Sequence, residues 1–372
     1  MSRALRVLPF VSLTLWAFVA CGPELSPVSK IDTLRILALR KSAPYATPGE
    51  VVDLELLWEG AKPDEVERFF GFWCVNPPGN LYGQCLTNVP TVPPSVAFNQ
   101  DKFSIQIPED IIREPAPGSG EAAYGTAFVF YAVCRGHLTF NGRPIDPDAG
   151  QGGLAGSGQG GVAGSSSGGT PAGTGGNGPG PIVGLPDCVD DEGEPVGSAG
   201  LVIGYSQIFA YDGYKNENPI IDGFEINGTK VAVDCLNSEC IGKPYEPSDA
   251  RGCTPDLPCF STCASTINTD CEANHLRPLV DRASAERDLV ALDTFGTDIG
   301  ESLWVSYFTD QGSFNGELRL INDATTGWIE DYKTDYYAPK EPGPVALWAV
   351  VRDNRGGVSF ARVRGYAEAS DE

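Results

Sequence analysis

The groups able to do chemistry in this chain are mostly sulfur and carboxylate. Of its eleven cysteines, six (Cys235, Cys240, Cys253, Cys259, Cys263 and Cys271) fall within 37 residues, among Pro, Asp, Ser and Thr. Zinc favours reduced thiolate pairs two to four residues apart, and only Cys235/Cys240 and Cys259/Cys263 approach that spacing. With two histidines (His137 and His275) and one methionine, the initiator, soft-metal ligation has little to draw on beyond these thiols. The alternative is oxidation to three disulfides in a small flap without a core, with the connectivity open among 15 pairings. Cys74 and Cys85 flank a turn-rich loop, and a bridge between them closes a short ring. Cys134 and Cys188 then pair by elimination.

Carboxylates offer a second chemistry. Asp187, Asp190, Asp191 and Glu192 cluster in one loop, and Asp293, Asp298 and Glu301 precede a strand. Hard oxygen ligands of this kind suit calcium. No loop has the alternating Asp/Asn spacing of a calcium-binding loop, so solvation is the plainer expectation and no cofactor is required. A third candidate is the aromatic, acidic run holding Trp328, Tyr332, Tyr336 and Tyr337. Exposed, these rings would stack on sugars or anchor a protein partner; buried, they pack a core, which is the expected outcome. Gly164 to Gly168 fits the letters of a nucleophile elbow but lies in a glycine/serine tract, where no strained strand-to-helix turn can form. The metalloprotease, phosphate-loop and dinucleotide patterns are absent from the sequence, and no catalysis is inferred.

Which sulfur chemistry applies depends on the compartment, and the N-terminus speaks to that. Arg3 and Arg6 precede an uncharged run from Val7 to Ala20. A short basic region followed by an apolar segment of this length reads as a secretory signal, too short to span a bilayer. The run stops at Cys21, and Phe18-Val19-Ala20-Cys21 resembles the lipobox of bacterial lipoproteins. That resemblance implies cleavage before Cys21, a diacylglyceryl group on its thiol and acylation of the new amine. More than one acyl chain is needed for lasting attachment, and triacylation meets that need. Export also implies an oxidising compartment, where the ten other cysteines are expected to pair. Losing residues 1–20 removes two basic residues and moves the net charge from −23 to about −25, which disfavours nucleic acid as a partner. The bilayer, reached through Cys21, is the expected partner, with the outer membrane or cell surface as the expected address.

The elements that position these groups read as strands. Val52, Leu54, Leu56 and Trp58 share one face at period 2, and short apolar runs recur at 69–75, 103–107, 127–134 and 201–211. Pro/Gly punctuation without a helical stripe indicates an all-β chain. The C-terminal third repeats the plan: Leu347-Trp348-Ala349-Val350-Val351-Arg352 echoes Phe130-Tyr131-Ala132-Val133-Cys134-Arg135. Pro339 to Gly343, the strand after it, the Asp353–Gly357 turn and Val358 to Val363 together resemble the closing hairpin of bacterial Ig-like and PKD-like domains. The resemblance implies two Ig-like antiparallel β-sandwiches, of the kind found in surface lipoproteins. The expected organisation is a signal at 1–20 and a lipidated tether at 21–30. Domain one follows at 31–215, with a flexible Gly-rich insertion at about 141–184. Domain two spans 216–368, with a Cys-rich insertion at about 235–275, and 369–372 form a tail. The function expected is binding or structural display at the envelope; sugar binding through residues 328–337 is the second reading.

Overall fold

The computed structural model describes residues 27–77, 97–115, 122–140, 186–247 and 270–369, with Cys85 and residues 143–144, 252–254 and 257–265 between them. Cys21, residues 1–20 read as a signal, and most of the Gly-rich insertion lie outside the described residues. Five sheets form among the described residues: a small one orders Asp187–Val189, His137–Phe140 and Arg143–Pro144, and four others stack in sequence. The first orders Tyr45–Ala46, Leu201–Tyr211, Tyr124–Arg135, Val66–Val75 and Ala97–Phe98. The second joins Arg35–Lys41, Val51–Glu59 and Lys102–Gln106. The third is built on Val358–Glu368, Gly343–Asp353, Leu303–Thr309 and Leu318–Asp323. The fourth carries Thr229–Val231, Ile221–Ile226, Asn274–Val280, Thr334–Tyr337 and Ser313–Asn315. Pairing is antiparallel apart from short parallel contacts, such as Tyr45–Ala46 beside Phe209 and Ala210.

Each pair of neighbouring sheets encloses a core. Val52, Leu54, Leu56 and Trp58 meet Phe70, Val129, Val133 and Ile208 of the first sheet, so the period-2 face read from the sequence is the inner face of one sandwich. Phe224, Leu276 and Tyr336 of the fourth sheet meet Val305, Leu347, Val351 and Val363 of the third to form the other. A further core joins the two sandwiches: Leu37, Ala38 and Leu57 of the second sheet pack on Ala346, Trp348, Val350, Val358 and Phe360 of the third. The second and third sheets therefore have no solvent face over their central strands.

This burial on both faces explains where the sequence reading and the structure part. Tyr124–Arg135 and Gly343–Asp353 are both central strands, as the repeat implied. Tyr131 points towards its own sandwich core. Trp348, its counterpart in the repeat, points away from its own core into the junction. Letters that are apolar at every position cannot say which face is which. A further correction concerns domain two. The Cys-rich block was expected to be coreless, yet Cys235, Cys240 and Ile241 belong to the junction core and Phe260 to the second sandwich core. The strand Asn274–Val280 and the short helix Leu289–Phe295 stand between the Cys-rich block and residue 301, outside the apolar runs read from the sequence. Pro278 disguised the strand, and Asp288 caps the helix by accepting from the Ala291 backbone N–H at 2.9 Å.

Trp348 is almost wholly buried at the junction. Trp348→Ala should therefore lower stability by about 3–5 kcal/mol, the usual cost of emptying a large aromatic site, measured by guanidinium unfolding.

Candidate functional site

All ten cysteines outside the N-terminal segment are paired. Cys74–Cys85 and Cys134–Cys188 join as expected, and the six-cysteine block pairs in order along the chain: Cys235–Cys240, Cys253–Cys259 and Cys263–Cys271. Cys134 lies at the end of its strand directly opposite Leu201, so the bridge to Cys188 ties both ends of the long excursion to one hairpin. The thiols so paired are unavailable to zinc.

The aromatic run is buried in most of its members, the outcome expected of it. Tyr332, Tyr336 and Tyr337 are buried, and Tyr332 and Tyr336 belong to the second sandwich core. The Tyr332 hydroxyl donates to the Pro278 carbonyl at 3.0 Å and the Tyr336 hydroxyl to the Gln311 carbonyl at 3.0 Å, so even their polar ends are spent internally. Trp328 is half-buried, with the Arg282 guanidinium over its ring at 5.5 Å. These rings form no platform on which a sugar could stack.

The acidic candidates are likewise dispersed. Asp190 accepts from the backbone N–H groups of Glu192 and Glu194, which shapes its own loop. Asp191 pairs with His137, Asp298 with Arg287, and Asp293 accepts from the Tyr214 hydroxyl. Asp187 is exposed on the strand Asp187–Val189. Among the described residues, no three His, Cys, Asp or Glu side chains converge as a metal site would need.

What sequence reasoning missed is the charge buried where the sandwiches meet. Glu59, at the end of Val51–Glu59, faces the third sheet and is 1% exposed; Arg362 is 2% exposed. Arg362 meets Glu59 at 3.1 Å and Asp234 at 2.7 Å, and it donates to the Lys243 carbonyl at 2.8 Å. The Glu59 carboxylate also accepts from the Trp348 indole at 3.1 Å and the Tyr245 backbone N–H at 2.7 Å. Asp234 reaches Arg364 at 2.8 Å, and the Tyr245 ring lies within 6 Å of both guanidinium groups. Outside this network opens a basin of about 940 Å³, lined by Pro63, Lys243, Glu246 and Arg364 among others. Its mixed charges define no single ligand class. At the other end of the junction Arg355 pairs with Glu301 and, at 2.8 Å, with Glu286, and its guanidinium lies 5.4 Å over the Tyr45 ring. The only sequence signal for these contacts was charge on strands otherwise apolar on both faces.

Burial pushes the Glu59 carboxyl up to about 7 in spite of Arg362 and the N–H donors around it. A carboxyl whose folded pKa lies above its unfolded value near 4.5 subtracts stability as pH rises through that interval. Arg362 limits this loss. Arg362→Met should cost about 3–5 kcal/mol near pH 8, where Glu59 would be charged and unpaired, and distinctly less near pH 5, where it folds protonated. Urea unfolding at the two pH values measures the difference.

His137 stands half-exposed between Glu67 and Asp191, 3.0 Å from each. Those two hydrogen bonds, Glu67 first, raise its pKa above 6.5. The stabilisation is complete below that unfolded value and fades as pH rises through the folded one. Amides of residues 190–196 should therefore lose hydrogen-exchange protection as pH rises above the ordinary imidazole range, after correction for intrinsic rates. His137→Gln should abolish this pH dependence.

No family model matches this chain, and no curated protein matches it closely enough to count as a relative.

Proposed function

We propose that this protein is a lipid-anchored component of a bacterial envelope, held at the outer membrane or cell surface by acyl chains on Cys21. It displays two Ig-like sandwiches for a binding or structural role, and no reaction is assigned to it. The observation that carries the reading is the pairing of ten cysteines in five disulfides, downstream of a signal that ends in a lipobox-like Phe18–Cys21. Disulfide-rich domains persist in oxidising compartments, and a signal with a cysteine at its end is the route there. The Ig-like kinship rests on the closing hairpin, where Gly343–Asp353 pairs with Val358–Glu368 across the Asp353–Gly357 turn. The sugar-binding reading is not carried forward, because Tyr332, Tyr336 and Tyr337 are buried and Trp328 is half-buried beneath the Arg282 guanidinium.

The test is direct. In a bacterial host the wild-type chain should sediment with membranes and carry the mass of its acyl groups on the N-terminal peptide, while Cys21→Ser should move to the soluble fraction. A Cys21→Ser protein that stays equally membrane-bound would overturn the anchor.

A further inference from the structure

A second opening lies at the junction, about 270 Å³ in volume, where three sheets meet. Its walls come from the strand Arg35–Lys41, from Tyr131 and Ser206 of the first sheet, and from Arg352, Gly356 and Val358 of the third. The only charged side chains on this lining are Lys41 and Arg352, and both are cations. That is unusual in a chain with 49 acidic against 26 basic residues. Glu59, by contrast, is buried with its guanidinium partner in place.

Neither cation has a carboxylate within ion-pair distance among the described residues. Lys41 is 3% exposed, and the contact shown for its ammonium is to the Gln207 carbonyl at 2.9 Å. Arg352 donates to the Ser306 hydroxyl at 3.2 Å and to the Leu37 carbonyl. An ammonium has three donors and a guanidinium five, so both keep N–H groups to offer. Asp353 acts on Lys41 through space, but its Oδ1 accepts from the Arg355 and Gly357 backbone N–H groups, which already satisfy it. Burial lowers the Lys41 ammonium to about 8 and lowers Arg352 as well, as expected for cations that lack a close counter-ion. The Tyr131 hydroxyl is pushed up to about 12, so it stays protonated and donates to the Tyr205 carbonyl at 3.4 Å, leaving the Ser206 hydroxyl as the first sheet's donor to the cleft.

Gly356 keeps the arrangement open. Its φ is +97°, and a Cβ there would come within 2.6 Å of the Lys41 ammonium. A side chain at this position would be strained and would displace the lysine.

We propose that this cleft binds a small tetrahedral oxyanion of the phosphate type. Donors reach it from three sheets, a spread that suits a tetrahedral acceptor better than a planar carboxylate, and an Arg–Lys pair is a natural phosphate cradle. The volume suits an ion or one phosphate monoester group and excludes a large ligand. The oxyanion stands where a counter-carboxylate would otherwise be required.

The experiment uses the full chain in detergent with inorganic phosphate as the probe and sulfate as competitor; glycerol phosphate, a headgroup mimic, separates a free ion from a lipid-borne one. Saturable one-to-one binding by calorimetry, competition by sulfate, and at least a tenfold loss in Arg352→Gln are expected. Absence of saturable phosphate and sulfate binding to the wild type, or unchanged affinity in a folded Arg352→Gln, would overturn the proposal. Should that variant not fold, phosphate-induced amide shifts in the wild type decide. Shifts centred on residues 36–41 and 356–358 support the site, and shifts centred elsewhere sink it.

Discussion

The strand Val51–Glu59 has no solvent face beyond its first residues, and the rest of the molecule is arranged around that constraint. One side is apolar and fills the first sandwich. The other presents Glu55, Leu57 and Glu59 to the second sandwich, so each carboxylate needs a partner supplied from elsewhere. Glu55 is met by Arg40 and Lys102, each at 3.0 Å, and by the Ser238 hydroxyl at 2.7 Å. Glu59 is met by Arg362, Trp348 and Tyr245. A buried ion pair of this kind adds little net stability over apolar packing, but an incomplete one is heavily penalised. The physical consequence is geometric: the sandwiches can satisfy these groups in one relative placement only.

The connection between the sandwiches reinforces that placement. Asn218 donates to the Lys41 carbonyl at 2.7 Å and accepts from the Val358 backbone N–H at 2.9 Å, touching both sandwiches with one side chain. Asn216 lies beside the Asp353 carboxylate, within 3.4 Å of both its oxygens. Residues that would read as an unremarkable polar linker thus act as a clamp. Two β-domains joined by a short linker ordinarily move against each other unless the interface is large and apolar. Here the apolar core of Leu37, Leu57, Trp348 and Phe360 is ringed by satisfied polar groups, which disfavours such motion.

How much of this could be read from the sequence depended on how local each signal was. The face of Val52, Leu54, Leu56 and Trp58 was legible because one side of the strand is uniformly apolar. The hairpin partner Leu201–Tyr211 was legible across a long insertion because its apolar text and the flanking Cys188 both demanded a partner. Cys74–Cys85 followed from the short turn-rich loop between the two residues, and Cys134–Cys188 by elimination. Trp348 was legible as core but not as junction, since Val345 to Val351 is apolar on both faces. Glu59 and Arg362 are 303 residues apart, and nothing in either neighbourhood names the other. The pairings of the six-cysteine block are all short-range, but 15 were arithmetically allowed and spacing alone did not choose among them.

The disulfides and the buried charges share the work of holding this fold. The outer face of the first sheet carries Phe69, Phe128 and Phe130, which are buried under the small sheet of Asp187–Val189, His137–Phe140 and Arg143–Pro144. Cys85, Cys134 and Cys188 cover them together with Leu138. At the edge of the third sheet, Cys235 pairs beside Arg362 and the strand Cys259–Ser261 lies parallel to Tyr366–Glu368, closing a row of backbone groups that would otherwise invite another chain. Small flaps cannot bury enough apolar surface to order themselves, so a covalent link replaces the missing core. The Cys74–Cys85 and Cys134–Cys188 cross-links therefore sit on the outer face of the first sheet, while Cys235–Cys240 packs into the junction core beside the buried Glu59–Arg362 pair.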